Sequence, residues 1–318
     1  MQPFRKNVAI AIDGGGIKGI IVTRALARLE QALGKPCRQI FQLATGTSTG
    51  SIISAGIGRG LSAQELYNLY ISLGEKIFPK TLRSTLWPLF PCRYPAEPLR
   101  DQLEQRFQDM KMGDFTRADP PIDVVITTFD LQRNHTCFVK PYKEEYKDWP
   151  VLRAVMGSCT VPTYFPVVEN RYVDGGVGSY ANPCYLAAYE AAYCLKWDPA
   201  ETTLISLGTG RSAHTWQPDR ANRRWAWEWI GPVLGAFLQS ADDQQVQLVR
   251  AFFNKLDFRR FQVDLRQPIE MDDSTKISEL SAYGDEMGNM ILNDIYDQAP
   301  VNNPALPSAA LLKRLLRV

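Results

Sequence analysis

Residues 7–19 read NVAIAIDGGGIKG, and residues 40–58 read IFQLATGTSTGSIISAGIG. In both, a short apolar run ends on glycines and the pattern then changes period. Asn7 to Asp13 predicts a buried strand, because a short continuous apolar run closed by turn residues suits burial on both faces. Ile17 to Leu33 predicts a helix: Ile21, Ala25, Leu26, Leu29 and Leu33 share one stripe, and Gly34 ends it. Ile40 to Thr45 predicts a second strand leading into Gly46, with a helix from Thr49 to about Gly58.

Working outward, the alternation continues. Ser62-Ala63-Gln64-Glu65 has the form of a capping box, which sets a helix start at Ala63 and a run to about Lys76. Pro79, Pro88, Pro91, Pro95 and Pro98 lie among Leu86, Trp87, Leu89, Phe90 and Tyr94. That proline density excludes a regular element and predicts an apolar loop. Leu99 to Phe107 reads as helix, Ile122 to Thr128 as a strand of β-branched residues, Pro150 to Met156 as a short helix, and Arg171 to Val173 as a short strand ending at Asp174. Pro183 to Leu195 predicts a helix, Thr202 to Leu207 a strand, and Phe258 to Leu265 one further strand. Strands alternating with helices imply an α/β fold, with a mostly parallel central sheet and helices on both faces. The expected organisation is one domain over 1–318, with its motifs in about 7–210 and a helical extension of the same domain over about 220–318.

Composition narrows the function. The chain has 318 residues, 45% hydrophobic and 22% charged, with a formal charge of +2. That balance is globular and too weakly basic to predict a nucleic-acid partner. No run of 18 or more apolar residues predicts a membrane-spanning helix, and Met1 to Asp13 does not have the pattern of a signal peptide. A cytoplasmic protein is expected. The six cysteines form no CxxC pair and none sits near a histidine at metal-ligand spacing, so reduced thiols and no metal are expected.

Gly46-Thr47-Ser48-Thr49-Gly50 is a GxSxG between a predicted strand and a predicted helix, the context a nucleophile elbow requires. A plain glycine-rich turn has the same pattern. Asp13-Gly14-Gly15-Gly16-Ile17-Lys18-Gly19 leaves backbone N–H groups bare at the start of a helix, which suits an anion and, in acyl transfer, an oxyanion hole. The same residues fit the Gly14-x-Gly16-x-x-Gly19 dinucleotide fingerprint. That fingerprint needs an acid at the end of the second strand, where this chain has Leu43-Ala44-Thr45-Gly46. A nucleotide-binding or sensing protein using the Gly14–Gly19 loop remains the alternative.

A serine nucleophile needs a proton acceptor. His214 completes a Ser48, Asp174, His214 order, although Ser48 follows only the second strand. Asp174, in Tyr172-Val173-Asp174-Gly175-Gly176, stands at a strand end before two glycines and is the other base. A bland role for it is capping its own turn.

Taken together and in this order, the three segments resemble the patatin-like phospholipase family. Asp13 to Gly19 matches its glycine-rich motif, with Lys18 where many members carry Arg. Gly46 to Gly50 matches its elbow, and Asp174-Gly175-Gly176 its aspartate motif. Ser206-Leu207-Gly208-Thr209-Gly210 also resembles a strand-end segment of the family. The resemblance implies a three-layer α/β/α patatin-like fold. It implies hydrolysis of phospholipid or galactolipid acyl esters by Ser48 as nucleophile and Asp174 as proton acceptor. Gly14, Gly15 and Gly16 would form the oxyanion hole, with Lys18, Gly19, Gly46, Thr49, Gly50, Gly175 and Gly176 supporting the motifs. No cofactor is implied. The apolar loop from Phe78 to Tyr94 and the basic, apolar segment Leu311 to Arg317 suggest transient contact with a membrane surface. Trp225, Trp227 and Trp229 alternate and have no functional reading.

Overall fold

A computed structural model describes residues 1–79, 90–212 and 230–297, with side chains for all of these except 212 and 230–240. Seven strands form the main sheet: β1 (Asn7–Ile12), β2 (Leu43–Thr47), β3 (Asp123–Asp130), β4 (His135–Val139), β5 (Tyr172–Asp174), β6 (Thr202–Leu207) and, after the two-residue β7 (Arg211–Ser212), β8 (Asp257–Phe261). The order is β4-β3-β2-β1-β6-β8, with β5 also pairing β3. β1, β2, β3, β6 and β8 run parallel. β4 and β5 run antiparallel to β3. β7 pairs β9 (Asp264–Leu265) in a separate two-stranded sheet.

The helices are α1 (Gly19–Leu33), α2 (Cys37–Ile40), α3 (Thr49–Arg59), α4 (Ala63–Ile77), α5 (Glu97–Phe107), α6 (Asp114–Arg117), α7 (Val151–Cys159), α8 (Cys184–Tyr189), α9 (Ile230–Phe252) and α10 (Ile277–Leu292). They cover both sheet faces because side chains alternate along each strand. From β1, Ile10 and Ile12 enter one core with Ile20, Ile53, Leu66 and Leu280. Ala9 and Ala11 enter the other with Leu186, Ala187 and Val249. This is the expected three-layer α/β/α arrangement. The capping box forms as written: Ser62 Oγ accepts from Glu65 N, and Ser62 N donates in return to Glu65 Oε2.

Four local expectations need correction. β2 starts at Leu43, behind the short helix Cys37–Ile40, and runs through Gly46 to Thr47. Ile40 ends that helix and Phe41 follows it, and both are core residues outside the strand. A strand that the pattern does not predict, β4, opens at His135 opposite Asp130. The helix from Cys184 ends in a wider π turn over Glu190–Cys194, where Leu195 N donates to Glu190 O at 2.9 Å. The predicted strand Phe258 to Leu265 splits between two sheets as β8 and β9. Among the described residues, no helix is long and apolar enough to cross a membrane.

Candidate active site

The central geometric fact is a difference in strand length. β3 pairs β2 only as far as Thr47 opposite Thr127. It continues for three more residues, and β5 takes up that free edge in the opposite direction, with Asp174 opposite Thr128. Two strands that run toward each other along one edge must meet at their C-terminal ends. Ser48, one residue past β2, and Asp174, the last residue of β5, are therefore brought together by adjacent register positions, 127 and 128. Thr47 Oγ1 and Thr127 Oγ1 close the gap at 2.6 Å.

Ser48 has φ 54° and ψ −124°, a strained conformation for a residue with a Cβ. The two glycines of the motif explain how the turn closes. A Cβ on Gly46 would lie 2.1 Å from Gly50 O, and one on Gly50 would lie 2.1 Å from Ile12 O. α3 begins at Thr49, so its N-terminal dipole end lies behind the serine.

Asp174 is buried at 5% exposure. Its Oδ1 accepts from Gly176 N at 2.7 Å, capping the turn that follows. Its Oδ2 is buried with no hydrogen-bond partner among the described residues. One oxygen therefore caps the turn, and the other accepts no hydrogen bond among the described residues. Burial pushes the carboxyl up to about 6, while the neighbouring Ser48 hydroxyl and the Gly176 N–H draw it back down. The Ser48 hydroxyl thus stands beside the buried carboxylate.

The glycine loop after β1 lies against the elbow. A Cβ on Gly14 would sit 3.2 Å from Ser48 Cβ. Gly14 departs from the expected oxyanion set, because its N–H donates to Ala181 O at 2.8 Å. Neither the Gly15 nor the Gly16 N–H donates to an acceptor among the described residues. Gly16 has φ +60°, and a Cβ there would meet Met271 O at 2.2 Å; only glycine fits this left-handed position. The Gly16 carbonyl accepts from Thr49 Oγ1 at 2.7 Å, and Tyr70 donates to Thr49 O at 2.8 Å. A Cβ on Gly19 would strike the Tyr70 ring at 2.6 Å, and one on Gly175 would strike Thr127 Oγ1 at 2.2 Å. Lys18 follows the loop, where burial lowers its pKa and Glu270 partly restores it.

Sequence reasoning missed Arg260. It lies buried in β8 and grips Asp13, the residue before the glycines, through Nη1 at 2.9 Å and Nη2 at 2.6 Å. It also donates to Ser206 Oγ at 2.8 Å and reaches Asp242 at 3.3 Å. Asn182 bonds Asp242 in turn. Burial disfavours the Arg260 charge, but Asp13 and Asp242 outweigh it and hold the guanidinium protonated. A usable signal existed: two arginines inside an otherwise apolar strand, Phe258-Arg259-Arg260-Phe261, require buried partners.

From Ser48 a partly open apolar cavity extends past Gly16 and Thr49 to Ile52, Leu73, Ile77, Leu99 and Phe165. Phe78 and Tyr94, the two described ends of the proline-rich loop, stack edge-to-face at 5.2 Å, and Phe165 packs on both. Residues 80–89 of that loop lie outside the described residues, as do His214, the three tryptophans 225, 227 and 229, and the segment Leu311 to Arg317. The ring nitrogens of His135 lie at Arg133 O and Cys137 Sγ, away from the elbow. All six cysteines are unbridged. Among the described residues, no group of three or more His, Cys, Asp or Glu side chains has a metal-binding arrangement.

A family model described as patatin-like phospholipase matches residues 10–188. The chain is 28% identical over 225 residues to an intracellular phospholipase A2 of Caenorhabditis elegans, an alignment covering 65% of this chain and 20% of that protein. It is 27% identical over 245 residues to a cGAMP-activated phospholipase of Escherichia coli, covering 68% and 66%. Identity to Patatin-like protein 2 of Oryza sativa is 28% over 303 residues, covering 76% and 72%. The chain thus spans a fifth of the nematode protein and about two thirds of the bacterial one. Among solved structures, VipD from Legionella pneumophila aligns with a TM-score of 0.49 at 10% identity, covering 92% of this chain and 67% of that one. The family match covers more than half of the sequence and includes both the elbow and the aspartate turn; the chain belongs to the patatin-like phospholipase family.

Proposed function

We propose that this protein is a serine acyl hydrolase that cleaves fatty-acyl esters of phospholipids with a Ser48–Asp174 dyad. The observation that carries the reading is the head-on approach of β2 and β5 along β3, which puts a strained serine beside a buried carboxylate with one open oxygen. The acyl chain lies in the apolar cavity, and the head group stays at its open end. Ser48 Oγ attacks the ester carbonyl as Asp174 Oδ2 takes its proton. The N–H groups of Gly15 and Gly16 stabilise the oxyanion; losing one such donor typically raises a barrier by about 3 kcal/mol. The tetrahedral intermediate collapses, and the proton passes from Asp174 to the departing alcohol oxygen. Water then attacks the acyl-serine, gives its proton to Asp174, and releases the fatty acid with return of that proton to Ser48.

A carboxylate with a pKa of about 6 is a better base than one at 3.8, and it remains ionised at neutral pH. Burial therefore supplies the tuning that an aspartate needs to act without histidine. The test is fatty-acid release from mixed phospholipid vesicles by the wild-type protein and by Ser48→Ala and Asp174→Asn. The reading expects both substitutions to abolish release. Turnover that survives Ser48→Ala unchanged removes it.

A further inference from the structure

Ser48 and Asp174 come from different strands, and their backbones share one set of neighbours. Three consecutive residues at the end of α7 each make one hydrogen bond to them. Ser158 Oγ accepts from Ser48 N at 2.8 Å. Cys159 Sγ donates to Ser48 O at 3.1 Å. The Thr160 carbonyl accepts from Asp174 N at 3.1 Å. All three residues are buried.

Their contributions differ. The Ser48 carbonyl also accepts from Ser51 N at 2.9 Å and Ser51 Oγ at 2.6 Å, so Cys159 is one of three donors there. Among the described residues the Ser48 N–H has only the Ser158 hydroxyl. A peptide N–H preceding a helix at φ 54° cannot enter the helix ladder, and burial denies it water. Without Ser158 that group would be orphaned, and the strained elbow would gain by rotating its peptide toward another acceptor. Any such rotation swings Ser48 Oγ away from Asp174.

We infer that Ser158 is a positioning residue for the nucleophile, and that Ser158, Cys159 and Thr160 together set the separation of Ser48 from Asp174. The inference rests on the dyad reading above. It assigns Ser158 no contact with substrate: it acts only through the Ser48 backbone.

The consequence is a kinetic signature. An orphaned buried N–H typically costs 1–3 kcal/mol, which corresponds to about a fivefold to 150-fold fall in the productive population. Ser158→Ala should lower kcat by that factor and leave KM unchanged, since the apolar cavity is intact. The rate of Ser48 labelling by a fluorophosphonate should fall by the same factor. Ser158→Cys, close in size but a weaker acceptor, should fall between the two. Ser54→Ala is the control: it removes a buried hydroxyl of α3 that holds no partner, and kcat should not move.

A merely structural role predicts something else. Ser158→Ala would then unfold at lower urea, while kcat and labelling rate per folded molecule stayed at wild type. That result overturns the inference and leaves the dyad standing, provided wild-type protein labels at Ser48. If Ser158→Ala does not fold, Ser158→Cys carries the test, and an unchanged kcat in that variant overturns the inference equally.

Discussion

Asp174→Asn separates the energetic role of the carboxylate from its chemical role. In the folded protein burial holds the Asp174 pKa at about 6, against 3.8 for the free group. A difference of roughly two units corresponds to about 3 kcal/mol. The sign follows from proton binding. Between pH 3.8 and about 6 the folded state binds more protons at this site than the unfolded chain, so stability falls as pH rises through that window. Well above pH 6 the loss is complete. Asparagine does not titrate, so the variant escapes this loss while sharing every other titration in the protein. The stability of Asp174→Asn relative to wild type should therefore rise by about 2 kcal/mol between pH 4.5 and pH 7.5. The measurement is paired urea unfolding at those two values, and the change in the gap is the readout, because the gap itself also carries the asparagine amide left in place of Oδ2. A gap that stays constant, or shrinks as pH rises, refutes the claim that Asp174 is a buried carboxylate of raised pKa.

Further predictions concern the parts around it. Wild-type kcat/KM should rise about tenfold from pH 5 to pH 7 as the same carboxyl ionises; a flat profile over that range speaks against Asp174 as the base. Arg260→Met leaves Asp13 buried without its cation, and breaking such a pair typically costs about 3–5 kcal/mol; thermal unfolding that matches wild type contradicts a supporting role for Arg260. Gly50→Ala places a methyl 2.1 Å from Ile12 O, where neither backbone can yield, and should remove activity and fold stability together. Ser62→Ala breaks the capping box of α4 far from the chemistry, and should cost about 1 kcal/mol in unfolding with turnover unchanged.

The sequence was legible where a local rule decided the outcome. The Gly34 stop, the Ser62 cap, and the strand at Thr202–Leu207 all follow from residues within a few positions. The glycine loop, the elbow and the aspartate turn were readable because steric demand leaves few residue choices there. The rest depended on partners distant in the chain. Nothing near Gly14 says that its N–H is taken by Ala181 O, nothing near Ser48 points to Ser158, and nothing near Asp13 points to Arg260, 247 residues on. β4 was missed because His135-Thr136-Cys137-Phe138-Val139 has only weak alternation, and its pairing is set by β3. The meeting of Ser48 with Asp174 is a matter of register, and register is a property of the sheet.

The most direct test of the account is to treat the protein with a fluorophosphonate probe and map the labelled peptide. The account predicts one adduct, on Ser48, lost in Asp174→Asn because the hydroxyl has no base to activate it. Labelling at another serine, or labelling of Ser48 at an undiminished rate in Asp174→Asn, would contradict it.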